Sequence, residues 1–148
     1  MSNDADFDLI IHAAKALLPE GIEPATVGVR DGKIAEVARG GQDLGATASA
    51  GAEVIEIGDD RVLLPGLVDS HVHVNDPGRA EWEGFASATR AAAAGGVTTI
   101  VDMPLNSLPP TVSVDALETK REVAGPKAFV DVGFWGGAIP GNTADLRP

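Results

Sequence analysis

The sequence predicts an α/β protein: a small N-terminal β module over residues 1–64, then βα units of a parallel sheet over residues 65–148. Three observations predict it. Up to about Leu64 short alternating apolar runs are broken by turn residues; after Pro65 apolar runs alternate with helical spacings; the connections between them are short.

In the first module Phe7, Leu9 and Ile11 alternate with more polar neighbours, the period of a half-buried strand. Thr26 to Arg30 is β-favouring, and Asp31-Gly32 separates it from Lys33 to Val37 as a hairpin turn. Residues Gly40 to Gly51, rich in Gly, Ala and Ser, read as a loop, and the strand pattern resumes at Glu53 to Ile57.

The pattern changes at Pro65. Gly66 to Asp69 leads into His71 as a short apolar strand, followed by a polar turn at Asn75-Asp76-Pro77-Gly78. Trp82, Phe85, Ala88 or Thr89, and Ala92 mark one face of a helix that Gly95-Gly96 stops. Val97 to Met103 reads as a buried strand. Ser113 then caps a second helix running through Ala124, with Val114, Leu117 and Ala124 on one side and Gly125-Pro126 at its end. Phe129 to Phe134 is a third strand, and Asn142 to Leu146 begins a further helix. A closed eightfold βα barrel needs roughly 250 residues. The three units are therefore either the start of an incomplete barrel or a smaller fold.

Composition narrows the partners. A net charge of -11 opposes binding to phosphate backbones and anionic lipids, so neither nucleic acid nor a membrane is expected and a small-molecule substrate is. With no cysteine there is no disulfide, thiolate site or Cys nucleophile in these residues. The start, Met1 to Asp6, lacks the basic and apolar regions of a leader, and no stretch approaches a membrane span, so a cytoplasmic, soluble protein is expected.

The chemistry centres on His71-Val72-His73. Alternate residues of a strand point the same way, and two same-side imidazoles can chelate one metal ion. The plain alternative is a pair of solvent-facing or hydrogen-bonded histidines. Their place favours metal, because barrel enzymes carry their functional groups at the C-terminal ends of strands. A catalytic zinc takes about three protein ligands and an open position, so the pair is half a site at best. Asp69, two residues earlier, is either an acceptor supporting one of these ligands or an ordinary strand polar residue. His12, in the β module, is not expected to take part.

The run from Pro65 through His73 resembles the metal-binding opening of the amidohydrolase superfamily. The segments after it are similar to the allantoinase branch of that superfamily: Val74 to Arg79, Glu81 to Phe85, Thr89 to Thr99, Asp102 to Asn106 and Asp131 to Gly137. The likeness runs from Pro65 to about Gly141, and the module before it is what that family's small N-terminal domain contributes. Dihydroorotases carry Arg at the position of Asn75, where it grips a carboxylate, and Asn at the position of Leu105. A neutral Asn75 suits a ureido-hydantoin, which has no carboxylate to grip. Hydantoinases share the histidines but not the strings around Trp82 and Asn106.

The resemblance implies a (β/α)8 TIM-like barrel of which this chain supplies the first three units. It implies hydrolysis of allantoin to allantoate at two divalent metals, usually zinc, bridged by a hydroxide and by a carboxylated lysine that lies beyond these residues. His71 and His73 are the metal ligands it assigns here; no catalytic base is among these residues, and the complete enzyme is a homo-oligomer. Asn75 and Asn106 are candidates to touch substrate, Asn106 equally for a turn bond to backbone. Trp82 is expected to pack at the helix start, and Arg79 with Glu83 to form a local pair. The competing readings are another cyclic amidase, hydantoinase or dihydroorotase-like, and a non-catalytic paralogue.

Overall fold

The computed structural model describes residues 6–44, 48–142 and 144. The chain divides into two compact units, Met1–Pro65 and Gly66–Pro148.

The first unit is a four-stranded sheet of β1 (Phe7–Leu18), β2 (Gly21–Arg30), β3 (Lys33–Arg39) and β4 (Ala48–Ile57), in the order β3-β2-β1-β4. β1, β2 and β3 are antiparallel neighbours, while β4 runs parallel to β1. Asp31 and Gly32 form the β2–β3 turn with φ of 51° and 70°, the double left-handed conformation that matches strand twist. Phe7, Ile10, Ala13, Ala16, Ala25, Val27 and Ala38 are buried. Gly28 lies beneath the Phe7 ring, where a β-carbon would come within 2.6 Å of it. Past β4, Leu63 exchanges backbone hydrogen bonds with Lys15 and Leu17, at 2.8 and 2.9 Å.

One boundary differs from the sequence reading. β4 starts at Ala48, inside the stretch read as loop to Gly51, because Ala48 pairs with Phe7 and the Ser49 hydroxyl donates to the Phe7 carbonyl at 3.0 Å. Gly51, at φ 96°, lies where the register shifts between Phe7 and Leu9. Long-range pairing overrides the loop-like composition there.

The second unit alternates strand and helix: β5 (Leu67–Val72), α1 (Phe85–Ala94), β6 (Val97–Asp102), α2 (Val114–Ala124) and β7 (Asp131–Phe134). Its three strands form one parallel sheet in the order β5-β6-β7, as the short apolar runs predict. The core is Val74, Phe85, Ile100 and Ala124, with Phe134 edge-on to Phe85 at 6.1 Å between ring centroids. Full burial of Phe85 contributes about 1.5–3 kcal/mol.

Four details of the second unit correct the sequence reading. α1 begins at Phe85, and Trp82 stands in the preceding turn, 67% exposed, with the Arg79 guanidinium 5.1 Å from its ring centroid. Glu83 meanwhile accepts from the Ser87 hydroxyl, so Arg79 finds its partner in an aromatic face rather than in Glu83. α2 has the expected bounds, with the Ser113 hydroxyl accepting from the Ala116 N–H at 3.2 Å. It buries Ala116, Lys120 and Ala124, however, leaving Val114 73% exposed, because Lys120 has an acceptor in the sheet. The third strand starts at Asp131; Phe129 is exposed beneath the Arg90 guanidinium. The helix expected from Asn142 lies mostly outside the described residues.

Candidate metal centre

β5 carries His71 to its C-terminal end, and His73 follows one residue past the strand. Both side chains are exposed. Their ring centroids are 5.3 Å apart with the planes at 58°. Two imidazoles each bound through nitrogen to one tetrahedral zinc, at about 2.0–2.1 Å, have centroids roughly 5 Å apart. The pair therefore suits joint ligation of a single ion. Among the described residues no group of three or more His, Cys, Asp or Glu stands close enough to hold a metal.

The surroundings hold the backbone of this segment firmly. The Asp69 carboxylate accepts from the His71 backbone N–H at 3.0 Å, so Asp69 acts on the peptide and not on either ring. The Trp135 indole N–H, from just past β7, donates to the Ser70 carbonyl at 2.9 Å. The Met103 N–H donates to the Val72 carbonyl at 2.7 Å, and the Val74 N–H to the Asp102 carboxylate at 2.7 Å.

Asp102 is wholly buried and paired with Lys120, whose ammonium donates to its second oxygen at 2.7 Å and to the Met103 carbonyl at 3.3 Å. Burial pushes the Asp102 carboxyl above its ordinary value, against the hydrogen bonds from Lys120 and Val74 and the charges of Lys120 and His73. The sequence reading missed this pair. Its signal is a carboxylate ending an apolar strand, which needs a cation somewhere behind it.

Asn106 reaches a histidine ring: its amide nitrogen lies 3.3 Å from His73 Nδ1, with backbone φ of 76°. A metal-binding imidazole offers one nitrogen to the ion and donates from the other. The Asn106 amide nitrogen faces Nδ1, so Nδ1 accepts and Nε2 carries the proton; turned over, the amide oxygen accepts from the Nδ1 proton and leaves the Nε2 lone pair free for metal. Asn75 is 8% exposed, and its backbone bonds to Glu83 and Arg79 build the turn beyond His73. Asp76, also buried, accepts from the Lys127 ammonium at 2.6 Å. His12 lies in the first unit, its ring against Thr26 at 3.1 Å, in a groove of about 890 Å³ that contains neither His71 nor His73.

A parallel βα series with an HxH pair at the end of its first strand defines a class, and comparison bears this out. The chain belongs to the amidohydrolase family, whose model matches residues 62–145. More particularly, it is 60% identical over 144 residues to an allantoinase of Streptomyces avermitilis, covering 97% of this chain and 31% of that protein. An allantoinase of Arabidopsis thaliana is 49% identical over 132 residues, 89% of this chain and 26% of that one. Among solved structures the L-hydantoinase of Arthrobacter aurescens superposes with a TM-score of 0.79 at 33% identity, covering 95% of this chain and 30% of that one. The chain thus spans about a third of the length of the relatives it matches.

Proposed function

We propose that this chain is the opening part of an allantoinase and supplies two ligands of its metal centre, with residues 1–64 as the N-terminal β module and 65–148 as the first units of a (β/α)8 barrel. The observation that carries the reading is the side-by-side pair of exposed imidazoles at the C-terminal end of the first barrel strand, 5.3 Å apart. The 60% identity to an allantoinase, sustained over nearly all of the chain, supports the substrate assignment. In this reading the complete enzyme is a cytoplasmic homo-oligomer, and two zinc ions bridged by a carboxylated lysine from a later strand form its centre.

When bound, the ions supply Lewis-acid polarisation of the ring amide carbonyl and bring the acidity of water toward neutrality. The residues of this chain bind and orient. His71 and His73 hold one ion, Asp69 fixes the His71 peptide, and the Asn106 amide sets which His73 nitrogen is free. A neutral Asn75, where a dihydroorotase carries the arginine that grips a carboxylate, suits a ureido-hydantoin.

The test is a chimera in which this chain replaces the matching residues of the Streptomyces avermitilis relative. It should open allantoin in a metal-dependent reaction and turn over hydantoin and dihydroorotate far more slowly. His71→Ala or His73→Ala should remove bound metal and activity together while circular dichroism stays native-like. The 148 residues alone, with zinc added, should not hydrolyse allantoin. A preference for hydantoin or dihydroorotate would shift the assignment to another cyclic amidase, and full activity without either histidine would end it.

A further inference from the structure

We propose that Asp102 and Lys120 are positioning residues for His73, acting on its orientation through the Val74 peptide. The consequence for metal binding rests on His73 being a ligand; the positioning itself does not.

The ladder between β5 and β6 ends at the pair Val72 and Asp102. Beyond it the Asp102 side chain takes over, accepting from the Val74 N–H where a continuing strand would offer a carbonyl. Both sides of His73 are therefore tied to adjacent residues of one strand end: the Val72 carbonyl to the Met103 N–H, and the Val74 N–H to the Asp102 carboxylate. Three residues on, the same segment brings the Asn106 amide to the His73 ring. A shift of the Asp102 acceptor moves the peptide after His73 relative to the very loop that touches its imidazole.

Lys120 braces this arrangement from behind, holding both the second carboxylate oxygen and the Met103 carbonyl. Lys120 and Asp102 are almost entirely enclosed, and Val74 is fully buried, so no water replaces the acceptor if it is lost. A buried ion pair is a poor source of stability, since apolar side chains of similar volume often serve as well or better. What an apolar pair lacks is an acceptor for the Val74 N–H. That acceptor is the function the geometry assigns to Asp102, and keeping it placed is the function of Lys120.

Two charge-neutral double variants of the full chain separate this from a packing role. Asp102→Asn with Lys120→Met keeps an oxygen for the Val74 N–H; Asp102→Ala with Lys120→Met removes it. Nuclear Overhauser contacts between the His73 ring and the Asn106 side chain read the orientation directly, and a Co2+ titration followed at the His71 and His73 rings reads its consequence. The first variant should keep the contact and the wild-type Co2+ affinity. The second should lose the contact and bind Co2+ about 10- to 100-fold more weakly. Retention of the contact in both variants would overturn the proposal.

If the Ala variant does not fold, Asp102→Glu carries the same test with the charge pair kept, because one added methylene displaces the acceptor; an unchanged His73 contact there overturns the proposal equally. Wild-type rings that ignore Co2+ would count against the ligand reading, while the His73–Asn106 contact would still decide the positioning role.

Discussion

Replacing Lys120 with Met should weaken the second unit in a pH-dependent way. Methionine keeps the unbranched stem but removes the cation, leaving Asp102 wholly buried with only the Val74 N–H as partner. Breaking a buried pair by removing one member costs about 3–5 kcal/mol, a large share of the roughly 5–15 kcal/mol that holds a domain together. Both tryptophans, Trp82 and Trp135, belong to the second unit, so fluorescence during urea unfolding reports on it without signal from the first. Asp102 already has its folded-state carboxyl raised by burial, and Lys120 is the strongest opposing influence. A raised folded-state value means that the folded protein takes up the proton first. The associated stability is present below the ordinary carboxylate value and is lost as pH rises through the folded value. Without Lys120 that value climbs further, so the deficit of the variant should be greatest where Asp102 is ionised and shrink as pH falls and Asp102 protonates. Adding Asp102→Asn should recover most of it. A loss at neutral pH below about 1 kcal/mol, the size of an exposed pair, or one that ignores pH, would refute the reasoning.

Other expectations are simpler. Gly66→Ala places a β-carbon against the Thr98 side chain, 2.7 Å from its Cβ, and should lower stability by about 1–3 kcal/mol, with Thr98→Gly in the same chain restoring the thermal midpoint. Gly28→Ala drives a β-carbon into the Phe7 ring and should destabilise the first unit by a similar amount, about 1–3 kcal/mol, seen by far-ultraviolet circular dichroism and not by tryptophan fluorescence. Ser113→Ala removes the acceptor for the Ala116 N–H and should cost about 1 kcal/mol in urea unfolding; an unchanged midpoint would show that water caps α2 equally well. Phe85→Ala should cost about 3–5 kcal/mol, part of it through the Phe134 edge contact, which a double-mutant cycle with Phe134→Leu would isolate.

Signals that act within a few residues were legible in the sequence. Ser113 and Gly125-Pro126 fixed both ends of α2, Asp31-Gly32 marked the hairpin, and the period of two put the rings of His71 and His73 side by side. Features set by distant partners were not. Ala48 to Ala50 looks like loop until Phe7 pairs with it, and the buried face of α2 is misjudged by counting apolar residues because its central member is Lys120. The Asn106 contact with His73 spans 33 residues and needs a left-handed backbone that an Asn-Ser-Leu-Pro-Pro loop does not announce.

The parallel pairing of β1 with β4 bears on the order in which the first unit assembles. β1, β2 and β3 meander through tight turns and can zip together as soon as they leave the ribosome. The other flank of β1 stays unsatisfied from Phe7 to Ala13 until Ala48–Ile57 arrives, and at Lys15 and Leu17 until Leu63 does. During that interval the nascent sheet presents a long row of free amides and carbonyls, the template on which strands of neighbouring chains add. A polypeptide interrupted before Ala48 would keep that row permanently, so early termination products of this chain should self-associate more readily than chains in which β4 has paired with β1.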